Sequence, residues 1–251
     1  MRKLFTAALA VTLALSMFAG CGAGATSSES GASSNATTTK ADKSSKTVKP
    51  SDVQVVFIPK LTGNSFFESA NVGAQDMAKK VGFNCKYDGN PEASVANQVQ
   101  IINSAVQQGA NAIAVSSTSA DGLNQALKSA ADAGVKVVCW DSDVNNQYRS
   151  LHVAQGTPTQ LGEMLVEMAA SQLPAGKKDA KYVFHYSSST VTDQNSWVVA
   201  AQKYIAEKYP QWKAVAEPYY SEQDAEKAIS IGESILDAYK DIDIVLCPDS
   251  T

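Results

Sequence analysis

The chain has 251 residues, four of them cysteines, and a formal net charge of −4. Without Arg2 and Lys3, two positive charges fewer, the balance is −6, which argues against nucleic acid or an anionic membrane surface as an electrostatic partner. Cys85, Cys139 and Cys247 leave an odd count inside the domain and lack metal-site spacing, so no disulfide, metal or cofactor is expected.

The basic pair Arg2-Lys3 precedes an apolar run from Leu4 to Phe18, roughly 15 residues, the length of a signal-peptide core and short for a membrane span. It closes on Phe18-Ala19-Gly20-Cys21, which resembles the lipobox of bacterial lipoproteins. Residues 1–21 are therefore expected to be a lipoprotein signal peptide, with Cys21 carrying the lipid that anchors the chain to the membrane. Residues 22–50 are nearly free of large apolar side chains and cannot build a core, so they are expected to form a flexible tether. A Gly/Ser-like tether of this length reaches roughly 30 Å, enough to hold a domain clear of a bilayer.

From Val53 the pattern alternates between β-branched runs and helical periods. VQVVFIPK reads as a strand, and SFFESANVGAQDMAKKVG as a helix stopped by Gly82. Strand FNCKYDG, helix SVANQVQIINSAVQQG, strand NAIAVSS, helix DGLNQALKSAADAG and strand KVVCWDSD follow. Strand–helix repeats closing on glycine signal right-handed βαβ units and a parallel sheet. These form a first α/β lobe, residues 51–149.

The rhythm restarts after VNNQYRS. LHVAQ is expected as the first strand of a second lobe, residues 150–251. Thr157 caps the next helix, with Pro158 at its first position. AKYVFHYSS is a strand, and a helix starting near Asn195 runs to Pro210. WKAVAEPYYS, EQDAEKAISIGESILDAYK and DIDIVLCPDS continue the alternation. The fold class is α/β with two doubly wound parallel-sheet lobes. Because the chain stops just after a strand with no covering helix, its C-terminal part is expected to be missing.

Doubly wound sheets bind ligands beyond the carboxyl ends of their strands. Here the first strand ends in Pro59-Lys60 and the fourth in Trp140-Asp141-Ser142-Asp143. One second-lobe strand leads into Asp193-Gln194, and the last ends in Pro248-Asp249-Ser250. Two facing lobes would bring these tips to one cleft, where carboxylates accept from vicinal hydroxyls and Lys60 donates. Taken singly, Asp193 could cap a helix and Asp141 or Asp143 a turn, while Phe66, Phe67 and Trp140 could be core. Together they point to a small polyhydroxylated ligand. His152 and His185 sit inside strand-like runs. No nucleophile elbow, P-loop or H-E-x-x-H motif is present, so an enzyme acting on a small polyol is only a remote alternative.

The stretches FIPKLTGNSFFESANVGAQ, YDGNPEASVANQVQIIN, CWDSD, AQGTPTQLGEMLV, SSSTVTDQNSW and CPDS resemble the substrate-binding lipoproteins of ABC importers with the type I periplasmic-binding fold. Within them the chain is similar to receptors for autoinducer-2, a furanone-derived polyol. The resemblance implies ligand contacts from Lys60, Asp141, Asp193 and Gln194, and largely backbone contacts from Pro248 and Ser250. It also implies ABC permease subunits as partners. Phe66, Phe67, Trp140, Asp143 and Asp249 are weaker candidates. Rhamnose-type receptors tend to carry Phe, Asn and Thr where this chain has Trp140, Asp193 and Asp249, although rhamnose or ribose remains the alternative ligand. Two features depart from the family pattern: Ser250 stands where alanine is usual, and the proline of YDGNPEASV is displaced.

Overall fold

The computed structural model describes residues 48–251. The expected signal segment, Cys21 and the tether up to residue 47 therefore lie outside the described residues. A short 3-10 turn at Pro50–Asp52 leads into β1 (Gln54–Ile58). Then come α1 (Ser65–Val81), β2 (Asn84–Tyr87), α2 (Val95–Gln107), β3 (Ala112–Val115), α3 (Asn124–Asp132) and β4 (Lys136–Trp140). The ends of these helices follow local chemistry. Asn64 accepts from the Phe66 amide at the start of α1, Ser94 from the Asn97 amide at the start of α2, and Gly82 takes φ +90° to stop α1.

The first sheet is wholly parallel, in the order β2-β1-β3-β4-β5. Its fifth strand, β5 (Leu151–Val153), corrects the expected lobe boundary. LHVAQ does not open the second sheet. A 3-10 turn at Asn146–Tyr148 folds the chain back, and Cys139 pairs with His152, Trp140 with Val153. The lone edge of β4 is thereby paired, and the crossing between sheets falls after Val153.

Beyond it lie α4 (Pro158–Gln172), β6 (Lys181–Tyr186), α5 (Thr192–Lys208), β7 (Lys213–Ala214), β8 (Tyr219–Tyr220), α6 (Ala225–Ala238) and β9 (Ile244–Leu246). Thr157 caps α4 in a full capping box with Gln160, Pro158 taking the first position as expected. β6 is the centre of a second parallel sheet, pairing with β7, β8 and β9. The run WKAVAEPYYS, expected as one strand, is split into β7 and β8. Pro218 lies in the break and has no N–H to give a ladder.

Each sheet has its own core. Ile58, Ile102, Ile113 and Leu127 are fully buried in the first, beside α2 and α3. Val166, Phe184, Val198, Ala201 and Leu246 form the second, where α4 packs on α5. A third, aromatic cluster joins Phe57, Phe67 and Trp140, the Phe57 and Trp140 rings stacked 4.4 Å apart.

Candidate functional site

In each sheet the chain reverses its order beside the first strand, β1 in one and β6 in the other. The carboxyl ends at those switch points are where backbone groups run out of ladder partners and side chains must serve. Gln98 does this beneath the site. Only 2% exposed, it donates to the Pro59 carbonyl (2.9 Å) and the Ser116 carbonyl (2.7 Å), and accepts from the Thr118 amide (3.1 Å) and hydroxyl (3.0 Å). It thereby ties the end of β1 to the end of β3 and fixes where Lys60 emerges.

Lys60 Nζ lies 3.1 Å from Asp141 Oδ2 and 3.2 Å from Asp193 Oδ2, with all three side chains almost wholly buried. Asp141 takes φ +58°, a left-handed conformation that aspartate tolerates better than most residues, just beyond β4. Its carboxylate accepts from Ser116 Oγ (2.6 Å) and from Gln155 Nε2, and its carbonyl faces His152 Nε2 at 3.0 Å. Asp193 belongs to the first turn of α5, which begins at Thr192, three residues earlier than the sequence pattern suggests. It is not the helix cap: Val191 stands there without a side-chain cap. Its carboxylate instead accepts from Lys60 and Ser142 Oγ, both from the first lobe.

The two carboxyls are shifted in opposite directions from the ordinary aspartate value. Burial raises Asp141, but Lys60, Ser116 and Asp193 outweigh it and hold the group below the ordinary aspartate value. Burial also raises Asp193; Lys60 pulls it down, Asp141 pushes it up, and it ends above the ordinary value. One ammonium thus serves two acids, and Asp193 is the readier to hold a proton.

Gln194 is oriented by Ser187, whose amide (3.1 Å) and hydroxyl (2.5 Å) donate to Gln194 Oε1, while Gln194 Nε2 donates to Asp249 Oδ1 at 3.0 Å. Asp249 Oδ1 also accepts from the Ser250 amide at 2.8 Å. Ser250 spans the cleft: Asn64 Nδ2 donates to its carbonyl (3.0 Å), and its hydroxyl donates to Asn64 Oδ1 (3.3 Å). Thr190 to the Thr118 carbonyl (3.3 Å) and Thr192 to the Asp143 carbonyl (3.0 Å) add further links between the lobes.

These residues enclose a cavity of about 310 Å3, the size of a small ligand. Lys60, Asp141, Asp193, Gln194, Pro248 and Ser250 all line it, as do Phe66, Phe67 and Asp249. Two weaker candidates lie elsewhere. Trp140 is packed between Phe57 and Phe67, its Nε1 donating to the Ala114 carbonyl at 3.3 Å. Asp143 is held by Arg149 (2.7 Å) and lines an adjoining cavity of about 450 Å3 with His152. Sequence reading missed Gln155, Leu161, Trp197, Gln223 and Cys247 on the main cavity wall. Trp197 carried a signal, since it stands one helical turn after Asp193. The others carried none.

A family model described as "Periplasmic binding protein domain" matches residues 55–251. The chain belongs to that family. Among solved structures, LsrB from Clostridium saccharobutylicum in complex with AI-2 is 57% identical. Its TM-score is 0.77, and the match covers 78% of this chain and 62% of that one. A solute-binding protein from Clostridium phytofermentas with bound L-rhamnose is 24% identical, with a TM-score of 0.73 over 78% of this chain and 60% of its own, a likeness of fold. The ABC transporter periplasmic-binding protein YphF of Escherichia coli is 22% identical over 197 residues, 74% of this chain and 58% of that protein. The chain thus spans less than two thirds of the length of these relatives.

Proposed function

We propose that this chain is the solute-binding component of an ABC importer and captures autoinducer-2 in the cleft between its lobes. The observation that carries the reading is the Lys60–Asp141–Asp193 group. Its members come from just beyond β1, just beyond β4 and the first turn of α5, in two different lobes, and meet on one wall of a cavity large enough for a small polyol. Each carboxylate offers lone pairs to hydroxyls, Lys60 and Gln194 offer N–H groups, and Phe66 and Trp197 add apolar surface. This set suits a neutral polyhydroxylated molecule. The 57% identity to LsrB, a protein solved with AI-2, supports autoinducer-2 as the particular ligand.

Capture proceeds by closure. Contacts split between lobes are all made only when the lobes meet, so a ligand that touches both stabilises the closed form, which is the form that would engage the permease subunits. In the closed form Asn64–Ser250 and Thr192–Asp143 latch the lobes beside the cavity. The binding protein works outside the cytoplasmic membrane, tethered through residues 22–50 to a lipid on Cys21. No reaction is assigned to it.

A second reading, a receptor for rhamnose, ribose or another small sugar, draws on the aromatic side chains of Phe66 and Trp197 in the cavity lining, a residue type that suits a pyranose or furanose ring. Calorimetric titration with autoinducer-2, L-rhamnose and D-ribose in parallel separates the two. Selective heat with autoinducer-2 supports the first reading, and selective heat with a sugar replaces it by the second.

A further inference from the structure

We infer that Gln223 is a further ligand-contacting residue, whose side-chain carbonyl accepts a hydrogen bond from a hydroxyl of the bound polyol. The inference rests on the polyol-binding reading of the cavity and adds to it a neutral acceptor beside the carboxylates.

Gln223 sits at the tip of a tight turn after β8, where the Asp224 amide donates to the Ser221 carbonyl at 3.1 Å. The two tip residues, Glu222 and Gln223, take φ of +59° and +61°. That is the geometry of a type I′ turn, which favours glycine or asparagine at both positions and is strained for glutamate and glutamine. The turn is held in place from outside: the Ser221 amide donates to the Tyr186 carbonyl (3.0 Å) and the Glu222 amide to the Ser187 carbonyl (2.7 Å), both at the end of β6. Asp224 then caps α6, accepting from the Lys227 amide at 2.8 Å.

Polar side chains at turn tips ordinarily face water, as Glu222 does here. Gln223 does the reverse. It is 8% exposed, and among the described residues its Oε1 has no donor and no access to solvent. Its side chain forms part of the wall of the main cavity and of a smaller cleft of about 120 Å3 lined by Val95, Thr118 and Thr190. A buried carbonyl without a partner destabilises the fold, and so does a left-handed glutamine. The strained turn is what holds the side chain inward, and a small rotation of the Gln223 amide toward the cavity whose wall it forms brings its carbonyl to a ligand hydroxyl, which supplies the missing donor. The cavity then reads one more hydroxyl than its charged groups alone would, and Gln223 helps set which polyols fit.

The test is titration of the chain and of Gln223→Leu with autoinducer-2, L-rhamnose and D-ribose, with thermal unfolding of each protein. Leucine keeps the bulk and removes the acceptor. Affinity for the polyol that the unaltered chain prefers should fall about tenfold, with no fall in Tm, since an unsatisfied buried group is removed. If the unaltered chain binds a polyol and Gln223→Leu binds it equally, the inference is overturned while the binding reading stands. If the chain binds none of the three, that reading falls and the inference with it. Gln223→Asn carries the test should the leucine variant not fold. Asparagine suits the left-handed turn but is one methylene too short, so weaker binding at an undiminished Tm is expected and unchanged affinity overturns the inference.

Discussion

Lys60 Nζ and Asp193 Oδ2 stand 3.2 Å apart although 133 positions separate the two residues in the chain. The pair is buried and spans the two lobes, so it is at once a contact of the proposed site and a clasp of its closed form. Removing one member of such a pair leaves the other charged group short of a partner, and the loss exceeds what the pair itself contributes.

Asp193→Asn keeps the shape of the side chain and removes its charge. Polyol affinity should weaken by about 1–3 kcal/mol, the scale for a hydrogen bond to a charged group. Calorimetric titration reads this directly, and an unchanged affinity would remove Asp193 from the site.

Asp143→Asn is the matching control. Asp143 is occupied by Arg149 and lines the adjoining cavity rather than the main one. Its substitution should leave polyol affinity within about 0.5 kcal/mol of the unaltered chain. A larger loss would show that the ligand reaches into the adjoining cavity.

The two buried acids make stability depend on pH in two windows. Asp193 titrates above the ordinary 3.8 when folded, so its contribution is full below 3.8 and is lost as pH rises through its folded value. Asp141 titrates below 3.8, so its contribution is present above 3.8 and is lost as pH falls through its folded value. Urea unfolding at a series of pH values should show both slopes in the unaltered chain. In Asp193→Asn the decline with rising pH above 3.8 should vanish while the acid loss remains; persistence of that decline would contradict the assignment.

Gln98→Ala should destabilise the chain by about 2–4 kcal/mol, because it leaves the Pro59 and Ser116 carbonyls and the Thr118 amide without their buried partner and opens a void. Polyol binding should weaken as well, since Gln98 fixes the position of Lys60. Urea unfolding followed by titration separates the two effects. A fully stable variant would show that water replaces the amide without loss.

Gly162→Ala tests how α4 and α5 seat the site. A Cβ at 162 would meet the Trp197 carbonyl at 2.6 Å and the Ala201 amide nitrogen at 2.7 Å, both backbone atoms of α5. The helices must separate, at about 1–3 kcal/mol, and the helix that moves carries Asp193, Gln194 and Trp197. Thermal unfolding and titration should both register the change; a variant of unchanged Tm and affinity would show that the helix contact yields freely.

What could be read along the chain was whatever a few neighbouring residues decide together. Asn64, Ser94 and Thr157 announce helix starts because a cap needs only its own side chain and the amides one turn on. Gly82 announces a stop because only glycine takes φ +90° without strain. Polar residues at strand tips announced Lys60, Asp141 and Asp193, since a buried run that ends in charge must end at a place where charge can be met. Gln155, Leu161 and Gln223 had no such mark: a glutamine beside a turn and a leucine in a helix look ordinary until distant segments close around them. The same holds for β5, which any α/β rhythm would assign to the next lobe. Only the unpaired edge of β4, brought near by the turn at 146–148, decided otherwise. Local chemistry set the elements and their polar ends. Contacts across 133 positions, whose free energy no single stretch of sequence contains, set which of those ends meet.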